Sequence, residues 1–265
     1  MHRIFIAGSP RSGTTLAQQY LQSDQRLLSF PETHFLKVLH PKQLGNLMPG
    51  YLLKNRAVRK IQNYSGLELT LSGLTKSSII HSIVQNFDKL ALENNCLGWI
   101  EKTPAHLNFI LKYWKQLFPE AVIIVLRDPV PTINSLYVAA NAHSNQWLGK
   151  NTTYRSLTEC AQIWSNSIIK ADVIRRVKNE HVILINYETL LHEDAAIKKL
   201  QKAGLNVSHR CIDANVIINN EPWKDNNLKP LKASGNNQNY QHIISLINPE
   251  IYRKFVNLKK IASDD

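Results

Sequence analysis

Residues 3–23 read RIFIAGSPRSGTTLAQQYLQS, and the succession of residue types in this stretch sets the expected fold. Arg3 to Gly8 is a short apolar run closed by Gly-Ser-Pro, which predicts a buried parallel strand ending in a tight turn. Thr14 to Ser23 then places Leu16 and Tyr20 four residues apart with Leu21 beside them, an apolar stripe that predicts a helix. Strand, Gly-rich turn and helix in that order would let the backbone N–H groups of Ser12, Gly13, Thr14 and Thr15 converge on an anion at the helix N-terminus. The spacing fits GxxxxG[KST][ST], yet Thr14 stands where a nucleotide-hydrolysing phosphate loop carries Lys, and the cation of this loop is Arg11. The missing Lys would reach the β- and γ-phosphates in a mechanism that also relies on magnesium, so its loss argues against ATP or GTP chemistry.

Strand and helix signals alternate through the rest of the chain. Cys96 to Ile100 (CLGWI) reads as a second strand running into Glu101-Lys102-Thr103-Pro104, with a helix from about Ala105 to Phe118. Ala121 to Leu126 (AVIIVL) is continuous, apolar and β-branched, and belongs in the sheet centre. It leads into Arg127-Asp128-Pro129, where Asp128 can cap and Pro129 can open a helix reaching about Ala142. Arg155 to Val177 is helical, His181 to Ile185 (HVILI) is a fourth strand, and a helix over Tyr187 to Ala203 follows it. The pattern predicts a three-layer α/β, P-loop-like fold with a mostly parallel sheet flanked by helices and ligands at the carboxyl ends of its strands. We expect a single domain over 1–265, with an inserted helical region at about 36–95 and a last helix near Pro249 to Ile261. Between Asn215 and Asn239 eight of 25 residues are Asn, so about 205–240 reads either as a solvated connector or as a lid over a ligand.

Composition narrows the class. The 265 residues are 43% hydrophobic and 20% charged, an ordinary globular profile. Cys96, Cys160 and Cys211 are too few and too far apart for a disulfide framework or a CxxC metal site. No apolar run approaches the ~18 residues of a membrane helix, and Ile4 to Ala7 is too short for a signal-peptide core, so the expected location is cytoplasmic. The net charge of +12 attracts anions, but the basic residues are scattered and match no nucleic-acid-binding pattern. A small polyphosphorylated ligand fits the charge as well.

The segment PRSGTTL (residues 10–16) after a first strand resembles the 5′-phosphosulfate loop of the sulfotransferases that use 3′-phosphoadenosine 5′-phosphosulfate (PAPS). RDPVPTINS (residues 127–135) resembles the same family's 3′-phosphate motif, with Arg127 at the end of the best strand and Ser135 eight residues on. About two helical turns separate them, so both can reach one phosphate. The resemblance runs from residue 3 to about residue 235, leaving the middle region uncovered. It implies sulfuryl transfer from PAPS, as co-substrate and without metal, to an acceptor hydroxyl. The Asn and Gln residues of the uncovered region Leu36 to Asn95 and of the Asn-rich segment Asn215 to Asn239, with Trp223 and Tyr240, suit a small-molecule or glycan acceptor, with peptide tyrosine second, and the +12 charge would draw in an anionic one. The bacterial-type and tyrosylprotein branch fits better than the cytosolic one, because Pro104 occupies the slot where that branch has a His.

The resemblance also implies roles. Arg11, Ser12, Gly13, Thr14, Thr15, Arg127 and Ser135 would bind the nucleotide, and Lys102 would meet the bridging oxygen unless it is only a solvated strand-end charge. Tyr187, in INYETL, would join them unless it is a core aromatic, and Lys229 would reach in from a late loop unless it is merely solvated. PETHF (residues 31–35) resembles the segment carrying the family's catalytic Glu, so Glu32 is expected as the general base, with His34 and His106 as substitutes. A P-loop kinase or NTPase lacking its Lys, and a non-catalytic nucleotide-binding relative, are the competing readings. Oligomeric state leaves no mark on the sequence.

Overall fold

The computed structural model describes residues 1–40, 49–142, 155–211, 217–218, 221–222 and 237–264. Its central sheet contains β1 (His2–Gly8), β2 (Leu27–Phe30), β3 (Gly98–Lys102), β4 (Ala121–Leu126) and β5 (Val182–Asn186), in the spatial order β2-β3-β1-β4-β5. Every neighbouring pair is parallel, with Ile4 opposite Ile100 on one side and Ala121 on the other. The helices are α1 (Thr14–Leu21), α2 (Phe35–Val38), α3 (Gly50–Ser65), α4 (Lys76–Glu93), α5 (Trp114–Leu117), α6 (Pro129–Ala142), α7 (Leu157–Val177), α8 (Tyr187–Leu190), α9 (Glu193–Lys202), α10 (Asn237–Ser245) and α11 (Pro249–Asp264).

Alternation along β1 divides the core into two layers. Ile4 and Ile6 join Ile100, Ile123, Val125 and Ile185 under Tyr20 and Leu21 of α1 and Ala196 and Leu200 of α9. Phe5 and Ala7 point the other way, joining Trp99, Val122 and Ile124 under Phe87 of α4, Trp164 of α7 and Phe255 of α11. Since both faces are covered, a central strand needs apolar residues throughout, and all six of β4 are buried. Trp99 meets Phe5 edge-on at 5.2 Å, and its indole N–H donates to Asp88 at 2.8 Å, so the largest core ring leaves no buried donor unpaired.

The four expected strands are present, and β2 adds a fifth, a four-residue edge strand that pairs on one side only. β3 starts two residues later than expected. Cys96 N–H turns back to the Ala91 carbonyl (2.8 Å) and Leu97 N–H goes to the Arg26 carbonyl (2.8 Å), so the ladder opens at Gly98 and carries Glu101 and Lys102 inside the strand. The helix expected over Ala105 to Phe118 is instead two 3-10 turns, Pro104–Asn108 and Leu111–Tyr113, followed by α5. The helix expected from Tyr187 is interrupted after Leu190, whose carbonyl accepts the buried Tyr20 hydroxyl (2.9 Å). The chain fills the β3 side of β1 first and then crosses to the β4 side, so the carboxyl ends of β1, β3 and β4 open on one crevice.

Candidate active site

The loop after β1 is shaped by what cannot fit there. A Cβ on Gly8 would lie 2.8 Å from both the Val125 carbonyl oxygen and the Ser12 hydroxyl. Arg11 (φ 71°) and Gly13 (φ 101°) are both left-handed, a conformation Gly adopts freely and Arg only at a cost of about 1 kcal/mol or more. Ser12 N–H donates to the Ser9 carbonyl (3.1 Å), so this amide closes the turn rather than joining those expected to face an anion. The amides of Gly13, Thr14 and Thr15 stand at the start of α1, where intrahelical partners are lacking. Ser12 Oγ is buried with no partner.

Arg11, Ser135, Arg127 and Tyr187 meet around this loop. Arg11 Nε donates to Ser135 Oγ (3.1 Å), and Arg127 Nη1 donates to the Arg11 carbonyl (2.9 Å). The Arg127 guanidinium lies 4.0 Å from the centre of the Tyr187 ring. The same half-buried ring covers Gly13, where an added Cβ would stand 2.4 Å from Tyr187 Cδ2. Trp164 Nε1 donates to the Arg127 carbonyl (3.2 Å), and Lys259 of α11 holds Asp128 (2.9 Å) and Glu188 (3.5 Å), tying together the ends of β4 and β5. Burial lowers the Arg11 guanidinium pKa and the neighbouring Arg127 lowers it further; burial lowers Arg127 as well, against Tyr187, Glu188 and Asp128. Both stay charged at neutral pH, so two partly dehydrated cations stand together, a cost that a bound anion would offset. Arg127 Nε, like Ser12 Oγ, is buried without a partner.

A second charged group lies at the ends of β2 and β3. Lys102, with a side chain 5% exposed, forms an ion pair with Glu32, and the other Glu32 oxygen lies 3.2 Å from His34 Nε2. Burial pushes the Glu32 carboxyl up, but Lys102 and His34 outweigh it and hold the group well below the usual carboxylate range. The Glu32 charge also acts on Arg11, which links the two groups across the crevice. His34 adopts φ 52° with its ring 4.8 Å from that of Tyr64 on α3. His106 is fully buried, with Nδ1 facing Glu101 at 2.9 Å and Nε2 accepting Leu36 N–H at 3.3 Å, so it does not reach the crevice. Lys229 and Trp223 lie outside the described residues. Among the described residues no group of three or more His, Cys, Asp or Glu side chains could hold a metal ion, and no helix is long and apolar enough to cross a membrane.

Residues 3–202 match the model of the sulfotransferase family. The chain belongs to this family. It is 25% identical over 206 residues to protein-tyrosine sulfotransferase A of Caenorhabditis elegans, covering 74% of this chain and 48% of that protein. The chain therefore spans about half the length of the curated relative it matches. The fold is shared with a sulfotransferase of Alicyclobacillus acidocaldarius, with a TM-score of 0.59, 12% identity, and coverage of 100% of this chain and 97% of the other. It is also shared with the sulfotransferase domain from the curacin biosynthetic pathway, with a TM-score of 0.51, 21% identity, and coverage of 78% and 75%.

In this sulfotransferase fold, groups that sequence reasoning left out support the crevice from behind. Trp164 and Lys259 approach from helices far along the chain, with no local signal to mark them. Glu101 carried one, a carboxylate continuing the apolar CLGWI run that nothing in the sequence paired.

Proposed function

We propose that the protein transfers a sulfuryl group from PAPS to an acceptor hydroxyl. The observation that carries this reading is the meeting of Arg11, Arg127 and Tyr187, just beyond the ends of three strands, with Ser135 of α6, around two buried donor atoms without partners. Those residues suit the group: cations and unpaired donors for its phosphates, and a Gly13 whose missing side chain leaves room for the Tyr187 ring. PAPS, when bound, supplies the sulfuryl group and an adenosine 3′,5′-bisphosphate leaving group.

The chain's own residues then have distinct tasks. Arg127 and Ser135 hold the 3′-phosphate, and Arg11 with the α1 amides holds the phosphosulfate end, so that binding energy orients the reacting group. Lys102 and Arg11 offset negative charge building on the leaving oxygen, the task magnesium performs in phosphoryl transfer. Glu32 takes the proton of the acceptor hydroxyl. A carboxylate paired to an ammonium is a weak base, so sharing Lys102 with a sulfate oxygen raises the proton affinity of Glu32 at the moment it is needed.

We rank a carbohydrate or other hydroxylated metabolite first as acceptor. Peptide tyrosine, second, is favoured by the likeness to protein-tyrosine sulfotransferase A. The test offers radiolabelled PAPS to saccharides, hydroxylated small molecules and tyrosine peptides. Label transferred to an oxygen of any of them supports the reading, and product from the peptides alone reverses the ranking. Magnesium-dependent turnover of ATP or GTP with no sulfuryl transfer would overturn the function.

A further inference from the structure

We propose that Glu101 is a positioning residue that sets the geometry of the Glu32–Lys102 pair by holding the neighbour of each partner on one buried carboxylate. Glu101 sits next to last in β3 with no exposed surface. Its Oε1 accepts the hydroxyls of Thr33 (2.8 Å) and Thr103 (2.6 Å) and the Thr33 N–H (3.4 Å). Thr33 directly follows Glu32, and Thr103 directly follows Lys102. Two segments from different strands, each bearing half of the ion pair, are thus fastened to a single oxygen. The same hydroxyls accept backbone amides in turn: Thr103 takes His34 N–H (3.3 Å) and Thr33 takes Phe35 N–H (3.4 Å), which holds the left-handed turn at His34.

The second oxygen faces His106 Nδ1 at 2.9 Å, close but outside good hydrogen-bond alignment. Because His106 Nε2 accepts Leu36 N–H, the ring proton belongs on Nδ1, toward Glu101. Among the described residues, each polar group bonded to or facing the Glu101 carboxyl is thus a donor, and an ionised carboxylate is the side chain that only accepts. A Gln here would turn an N–H group toward His106, and an apolar residue would leave two buried hydroxyls without their acceptor. The charged groups facing Glu32 are Lys102, His34 and Arg11, while Glu101 faces His106. Among the described residues, the Glu101 carboxyl is joined to the crevice through the two threonines.

The consequence for turnover rests on the function proposed above, whereas the consequence for Glu32 itself can be read without any ligand. Carbon-13 carboxyl NMR would follow the titration of Glu32 in the ligand-free wild type, Glu101→Gln, Glu101→Ala and Thr33→Val, with turnover and affinity for adenosine 3′,5′-bisphosphate measured alongside. The Glu32 midpoint is expected to rise toward the ordinary value of about 4.3 in Thr33→Val and Glu101→Ala. Glu101→Gln should fall between, since its carbonyl oxygen still takes both hydroxyls. Turnover number should drop roughly tenfold to a hundredfold, the loss that a displacement of about 1 Å at the reacting groups carries, while bisphosphate affinity is unchanged. A Glu32 titration unmoved in folded Glu101→Gln and Thr33→Val overturns the proposal, whatever happens to the melting temperature. A shifted titration in a protein whose wild type transfers no sulfuryl group supports the positioning role and removes the functional reading instead.

Discussion

Glu32 is ionised and engaged at once, with Lys102 on one oxygen and His34 on the other. Replacing it by Gln keeps the shape and removes the proton acceptor, so turnover should fall by ~10²–10⁴-fold while bisphosphate affinity is nearly kept. Isothermal titration and initial rates would separate the two, and near-normal turnover in Glu32→Gln would discard it as the base. Arg127 should show the opposite division. Its guanidinium holds the Arg11 carbonyl and stacks on Tyr187, and Arg127→Ala removes a charged hydrogen-bonding group worth about 1.5–3 kcal/mol. Bisphosphate affinity should weaken by ~10–100-fold, with ATP affinity little changed because ATP has no 3′-phosphate; equal losses for both nucleotides would contradict the assignment.

Among the elements, the junction of β1 and α1 is the most constrained. At Gly13 a side chain meets two obstacles, a left-handed backbone and the Tyr187 ring 2.4 Å from where its Cβ would be. Gly13→Ala should therefore destabilise the protein by more than ~1 kcal/mol and displace Tyr187 from the loop. Calorimetry would detect the first effect and tyrosine fluorescence quenching by the bisphosphate the second; an unaltered melting temperature would mean that the loop relaxes around the added methyl. β3 is constrained differently. Two backbone bonds ahead of Gly98 delay its start, and that delay puts Glu101 and Lys102 on opposite faces of a buried strand, one toward the threonines and the other toward the crevice. A strand closing at Ile100 would have left both in a turn.

For the whole molecule, the fully buried Glu101 and the partly exposed Glu32 contribute to the response to acid. Burial pushes Glu32 and Glu101 up, but Lys102 and His34 for the first, and His106, Thr103 and Thr33 for the second, bring both below the usual range. The unfolded chain then binds more protons in mild acid, so stability rises with pH there. Their contribution is complete above about pH 4.3, the ordinary carboxylate value, and is lost as the pH falls below it. Melting temperature should be level from neutrality to about pH 5 and drop below that, with a shallower drop in Glu32→Gln; an identical acid limb in that variant would assign the loss to other groups. The net charge of +12 gives a second test. Bisphosphate at a hundredfold excess over its dissociation constant should add about 2.7 kcal/mol of stability, and raising the salt should reduce that gain by screening.

Local order was enough to reveal the sheet's four longer strands and the Gly-rich turn with Arg11, because apolar periodicity and the residue types of a phosphate-binding turn are properties of neighbours in the chain, whereas Arg127, Ser135, Lys102 and Glu32 stood out only through the resemblance of their short motifs to those of the family. The edge strand β2 escaped because four residues carry too little pattern. What came only with folding were the relations between distant segments: Tyr187 over Gly13, Trp164 on the Arg127 carbonyl, Lys259 across two loops, and Glu101 joining Thr33 to Thr103. His106 shows the same limit, since the Leu36 amide that accompanies the nearby Glu101 in fixing its ring lies 70 residues away in the chain. Hydrogen bonds and ion pairs depend on distances of a few ångströms, and between residues tens of positions apart in the chain those distances are set by how the sheet is ordered and how helices pack on it.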